Sequence, residues 1–209
     1  ICVAQGVAIA LAVVLLVLFQ VGWPFRAGIA DRLIGAVAGV LSILCARTSL
    51  ASQLFYPAYE GGRLADDGRL VMYQLVRWAA CFAILLIAAT IIAFGRQMVR
   101  TERSHLIRAL SHCMTGAVVS VSAAGWCFVP DLIDMGSASP DNGLLTRFII
   151  VAAAFVVVAV LFAVCSVSWS READPDPAAP APWLGIGLLP VMLSGLLVFA
   201  ASFVMQLIF

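Results

Sequence analysis

Arg47 is the residue of this chain that most plainly asks for a chemical reason. It follows fourteen apolar or small residues, Leu33 to Ala46. An arginine at membrane depth costs about 2.5 to 3.5 kcal/mol on insertion scales, so such residues usually face a bundle interior or a wet cavity. Its guanidinium has two outlets: it snorkels to the headgroups, or it binds an anionic substrate or pairs with Glu60, Asp131 or Asp134. Those three carboxylates, with Asp66, Asp67 and Asp141, come from two loops expected on one face. There they would gather cations before a pore or hold calcium, which wants several oxygen ligands. No spacing among them matches a calcium loop, and no metal site is expected.

His105 and His112 are seven residues apart. On one helix they share a face but lie about 10 Å apart along it, too far to chelate one metal. Haem ligation would need facing histidines on different helices, and no cofactor is expected. Cys2, Cys45, Cys81, Cys113, Cys127 and Cys165 are scattered singly through apolar segments with no C-x-x-C. They read as small hydrophobes. A quinone-linked thiol oxidoreductase would need a juxtaposed pair at one membrane face.

The one strongly basic run, RQMVRTERSHLIR, carries Arg96, Arg100, Arg103 and Arg108 against a single glutamate. Near an anionic lipid surface each arginine contributes about 1 kcal/mol, so the run suits contact with lipid or an acidic partner. It also serves as an orientation signal. All twelve basic residues are arginine, which removes chemistry that needs a lysine amine or a P-loop lysine. With no G-x-S-x-G, no H-E-x-x-H, no glycine-rich phosphate loop and no mid-span pair of carboxylates, an enzyme is not expected. Nothing points to nucleic acid.

The elements that must position these residues follow from composition. A hydrophobic fraction of 64%, 11% charged residues and a mean hydropathy of +1.10 over 209 residues lie far outside the soluble range. A span takes roughly 20 apolar residues. The expected fold is therefore all-α, a polytopic transmembrane helical bundle of six spans forming one integral membrane domain, 1–209.

Ile1 to Gly22 is the first span, stopped by Trp23-Pro24. Arg26, Asp31 and Arg32 read as a loop. Leu33 to Ala46 is short, so the second helix either continues to about Tyr56 or is re-entrant, which would leave five spans. Pro57 to Gln74 reads as a hairpin-like loop with Asp67-Gly68 in a tight turn. Val76 to Gly95 is the third span. The fourth, capped by Ser104 or Ser111, runs to Pro130, and Asp131 to Thr146 reads as an acidic loop. Phe148 to Trp169 is the fifth, with the smooth surface of a lipid-facing helix. SREADPDPAAPAP, from Ser170 to Pro182, reads as an extended strap before the last span, Trp183 to Phe209, with Pro190 as its kink.

Small residues every four positions let helix backbones approach closely where lipid supplies no hydrophobic drive. Gly35 and Gly39 make such a row in the second span, and Gly116, Ser120 and Ala124 in the fourth, so these two are expected to pack together in the interior. The five tryptophans fall at span ends, as interfacial rings do. With the basic run on the cytoplasmic side, both termini face outward, the location being the bacterial inner membrane.

The functional expectation is a non-catalytic subunit or scaffold of a larger membrane complex, in contact with membrane lipid and with other membrane subunits or further copies of itself. The alternative is a small-solute or ion transporter or channel with an acidic outer mouth and Arg47 within it.

Overall fold

The computed structural model describes residues 2–25, 28–48, 67–99, 106–137, 142–172 and 181–208. They form α1 (Cys2–Val21), α2 (Ile29–Arg47), α3 (Asp67–Val99), α4 (Leu106–Ser122), a 3-10 helix (Ala123–Phe128), α5 (Val129–Ser137), α6 (Asn142–Glu172) and α7 (Pro182–Ile208), with no strand among the described residues. Six helical stretches are long and apolar enough to cross a membrane, the fourth running without a break through α4, the 3-10 helix and the start of α5.

Several boundaries differ from the sequence reading, mostly in the direction of more helix. α2 gains its length backward, starting at Ile29 and taking Asp31 into its first turn, and it stops at Arg47 rather than at Tyr56. Its 19 residues span about 28 Å, a full hydrocarbon thickness. Asp67-Gly68 opens α3 instead of making a turn. Ser111 lies inside α4, and Ser104 lies outside the described residues. Pro130 does not stop the fourth span, because it falls in the first turn of α5, where its missing N–H has no intrahelical partner to lose. Asp131 and Asp134 are thus helical. Ser170 to Glu172 complete α6. Pro190 lies within the continuous α7. The hairpin read between Pro57 and Asp66 lies outside the described residues, as do positions 173–180 of the strap.

The sequence of α2 explains its central place. Asp31, Gly35, Ala38, Gly39, Ser42, Ile43 and Ala46 are its buried residues, one stripe at three- and four-residue spacing, while Leu33, Val37, Val40 and Leu44 point outward. The stripe packs on α4 in the most extensive helix–helix contact of the described structure. The two helices run parallel, since Gly35 lies against Gly116 and Ser120 near one end while Arg47 reaches Cys127 and Asp131 at the other. α3 lies antiparallel on the other flank of α2, with Arg96 beside Asp31 and Trp78 beside Ser42.

At Gly39 a methyl group would sit 2.7 Å from Leu16 Cδ1 and 3.0 Å from the Ser120 carbonyl, and at Gly116 it would run into the Trp23 indole. A tighter approach, absent from the sequence reading, joins the 3-10 helix to α7. A methyl group on Gly125 would collide with the Gly195 carbonyl, and one on Gly195 with the Ser122 carbonyl.

Two aromatic clusters occupy opposite ends of the core. Phe19, Trp23 and Phe25 lead to His112 at one end. Trp78, Phe82, Phe128, Phe199 and Phe203 form the other. Trp23 and Trp78 are therefore core residues rather than interfacial rings, being 2% and 0% exposed. α6 behaves differently from every other long helix. No residue of Phe148–Ser168 is buried, and it packs chiefly against α7.

Candidate functional site

Each end of α2 carries a charge answered by a neighbouring helix. Asp31 sits in its first turn and Arg47 in its last, the signs that the partial charges of a helix favour at those ends. Asp31 is 1% exposed and accepts from Arg96 Nη1 at 2.5 Å, Arg96 itself belonging to the last turn of α3. Arg47 Nη2 donates to Asp131 Oδ2 at 2.9 Å, with side chains 8% and 10% exposed. Asp131 lies in the first turn of α5, again the favourable end for a carboxylate.

Arg47 has two more partners. Its Nη2 also donates to the Cys127 carbonyl, and its guanidinium carbon lies 5.5 Å from the centre of the Phe128 ring. The 3-10 helix makes the first of these possible, because a change of helical pitch within a span exposes a carbonyl to a side chain. Among the described residues its Nε is buried without a hydrogen-bond partner. Of the carboxylates the sequence offered, Asp131 is the partner; Asp134 is exposed on the next turn of α5, and Glu60 and Asp141 lie outside the described residues.

Between the two ion pairs runs a set of polar contacts. Arg32 donates through Nη2 to the Gln20 carbonyl, and Gln20 Nε2 donates to Ser120 Oγ at 3.3 Å. Ser42 Oγ donates to the Val121 carbonyl at 3.0 Å and accepts from Trp78 Nε1 at 3.1 Å. Ser120, chosen in the sequence for its size, and Ser42, in the buried stripe of α2, thus also carry hydrogen bonds, while Ala124 is a fully buried packing residue. Asp31 was the polar contributor that sequence reasoning missed, having been read as a loop residue. Its position in the same stripe as Gly35 and Gly39 was the signal available.

The basic run divides. Arg96 is turned to Asp31, Arg108 is exposed on the first turn of α4, and Arg100 and Arg103 lie outside the described residues. His112 stacks on Phe25 with ring centres 5.2 Å apart, and His105 lies outside the described residues. Cys45 and Cys81 are free thiols on the packed helices α2 and α3. Among the described residues no three His, Cys, Asp or Glu side chains are grouped to hold a metal.

Cavities open in the surface of the described residues. One, of about 470 Å³, lies between Pro24–Phe25, α4 and α7, and its wall includes Ser111, His112 and Thr115 beside apolar groups. Another, of about 260 Å³, is an apolar groove between α2 and α3. No protein-family model matches the sequence, and comparison with curated proteins and with solved structures gives no significant match.

Proposed function

We propose that this chain is an integral, non-catalytic subunit or scaffold of a larger membrane assembly, its six helices forming one domain in a bacterial inner membrane with both termini outside. The observation that carries the reading is the use made of Arg47. Its charge is met within the chain by Asp131, the Cys127 carbonyl and the Phe128 ring, so an incoming anion would have to displace a 2.9 Å ion pair. A group held in that way is a fixed contact between helices, costly to break from one side. The uncovered face of α6 supports the same reading, as a surface for lipid, for another membrane subunit or for a further copy of the chain.

A second reading, a small-solute or ion transporter, draws on the two ion pairs at opposite ends of α2, an arrangement suited to two gates that open in turn. Gentle extraction and identification of co-purifying polypeptides separates the two. Stoichiometric partners are expected, and a monodisperse lone protein that takes up solute in sealed vesicles would overturn the subunit reading.

A further inference from the structure

We infer that Cys45 and Cys81 form a redox-active dithiol site, which becomes a disulfide by exchange with a small-molecule disulfide and thereby fastens α2 to α3. The inference rests on the packing of these two helices and is independent of whether the chain is a subunit or a transporter. The sequence scatters its cysteines singly. Antiparallel packing brings two of them to one level.

The walls of the apolar groove between α2 and α3 set the register. Ile34, Ala38 and Leu41 follow one another along the α2 wall, and Ile92, Ala88 and Leu85 along the α3 wall. Arg96 beside Asp31 marks one end of the groove. From there α2 runs forward while α3 runs back, and residues three and four apart share a helix face. The next member of each row toward the Arg47 end is therefore Cys45, four beyond Leu41, and Cys81, four before Leu85. The Cys81 side chain interacts with that of Cys45. Trp78, donating to Ser42, ties the helices together close by, each of these residues lying three positions from one of the cysteines.

The two thiols differ in access. Cys45 is half-buried in the last turn of α2, whereas Cys81 is 4% exposed. Cys45 is thus the entering thiol and Cys81 the resolving one. As its thiolate, Cys45 attacks one sulfur of the small disulfide, whose S–S bond breaks and expels a first thiolate. Cys81 then attacks the Cys45 sulfur of the mixed disulfide, forms the Cys45–Cys81 bond and expels a second. The two protons given up by the cysteines pass to the two leaving thiolates. The chain is oxidised by two electrons, and the small disulfide is reduced to two thiols. The Arg96–Asp31 ion pair already joins α2 to α3 at the far end of the groove. The disulfide adds a covalent tie at the near end, so the redox state sets how far the groove can widen.

The full chain in mild detergent, treated with dipyridyl disulfide, blocked with N-ethylmaleimide, digested and mapped by mass spectrometry, tests the site. A Cys45–Cys81 disulfide is expected, with both pyridyl groups released as thiopyridone, and reduction should reverse it. Cys81→Ser removes the resolving thiol and should leave a stable thiopyridyl group on Cys45. Cys81→Ala gives the same test should the serine variant aggregate. In Cys45→Ser, Cys81 should stay unmodified until denaturation. The oxidised protein should also need more denaturant to unfold than the reduced one, a shift that should vanish in Cys45→Ser. A thiopyridyl group that persists on Cys45 of the unaltered chain, a bond from Cys45 to Cys127 instead, or a Cys45 that does not react in the folded protein would overturn the inference.

Discussion

Replacing Arg47 with methionine keeps a long apolar stem and removes the charge, which leaves the Asp131 carboxylate 10% exposed with its partner gone. Breaking a buried pair from one side costs about 3 to 5 kcal/mol, most of it the desolvation of the group left behind. The cation–π contact with Phe128 adds about 0.5 to 2 kcal/mol, and protonation of Asp131 recovers part of the loss. A destabilisation of about 3 kcal/mol results, a large fraction of the 5 to 15 kcal/mol that holds a typical domain. Arg47→Met combined with Asp131→Leu removes both charges and should return to within about 1 kcal/mol of the parent. The coupling between the two sites is then about 2 kcal/mol or more. Reversible unfolding in bicelles, followed by circular dichroism across the four-member cycle, measures it. A stable Arg47→Met protein, or a double variant whose loss equals the sum of the two single losses, would refute the view that this pair holds the bundle together.

Four further outcomes are expected. Gly125→Ala and Gly195→Ala each drive a methyl group into a backbone carbonyl that has no flexible end to move, so monodisperse protein should be lost, whereas Gly6→Ala, which meets nothing within 4 Å, should purify normally. Gly39→Ala presses on the mobile tip of Leu16 as well as on the Ser120 carbonyl and should cost about 1 to 3 kcal/mol in the same unfolding assay. Ser42→Ala deprives the fully buried Trp78 of its acceptor and should cost about 1 to 3 kcal/mol. Under N-ethylmaleimide, the buried Cys113 and Cys127 should react only after denaturation, as read by intact mass.

The apolar segments were legible in the sequence because lipid imposes a minimum length on them, and the glycine and serine rows of α2 and α4 were visible as spacing. The ends of the helices were less legible, for a common physical reason. Asp31, Asp67 and Asp131 were read as loop markers, yet a first turn offers unpaired N–H groups and a favourable dipole to a carboxylate. Pro130 misled in the same way, since a first turn tolerates the ring. The identity of the partner of Arg47 was not legible at all, because it lies 84 residues away and three carboxylates were chemically equivalent candidates. The meeting of Gly125 with Gly195 was hidden too. Neither belongs to a four-residue row of the kind used to find the other contact.

Asp31 and Arg47 are sixteen residues apart on α2, about 24 Å along the axis, and each is tied to a different neighbour. A helix pinned at both ends can neither slide along its axis nor lean on its own. In a bilayer that thickened or thinned, α2 would keep its length and its angle, and the mismatch would fall on other parts of the molecule. α6, at 31 residues, is about 46 Å long, packs chiefly against α7 and has the spare length to tilt. The bundle thus has a gauge of fixed height at its centre and an adjustable member at its side.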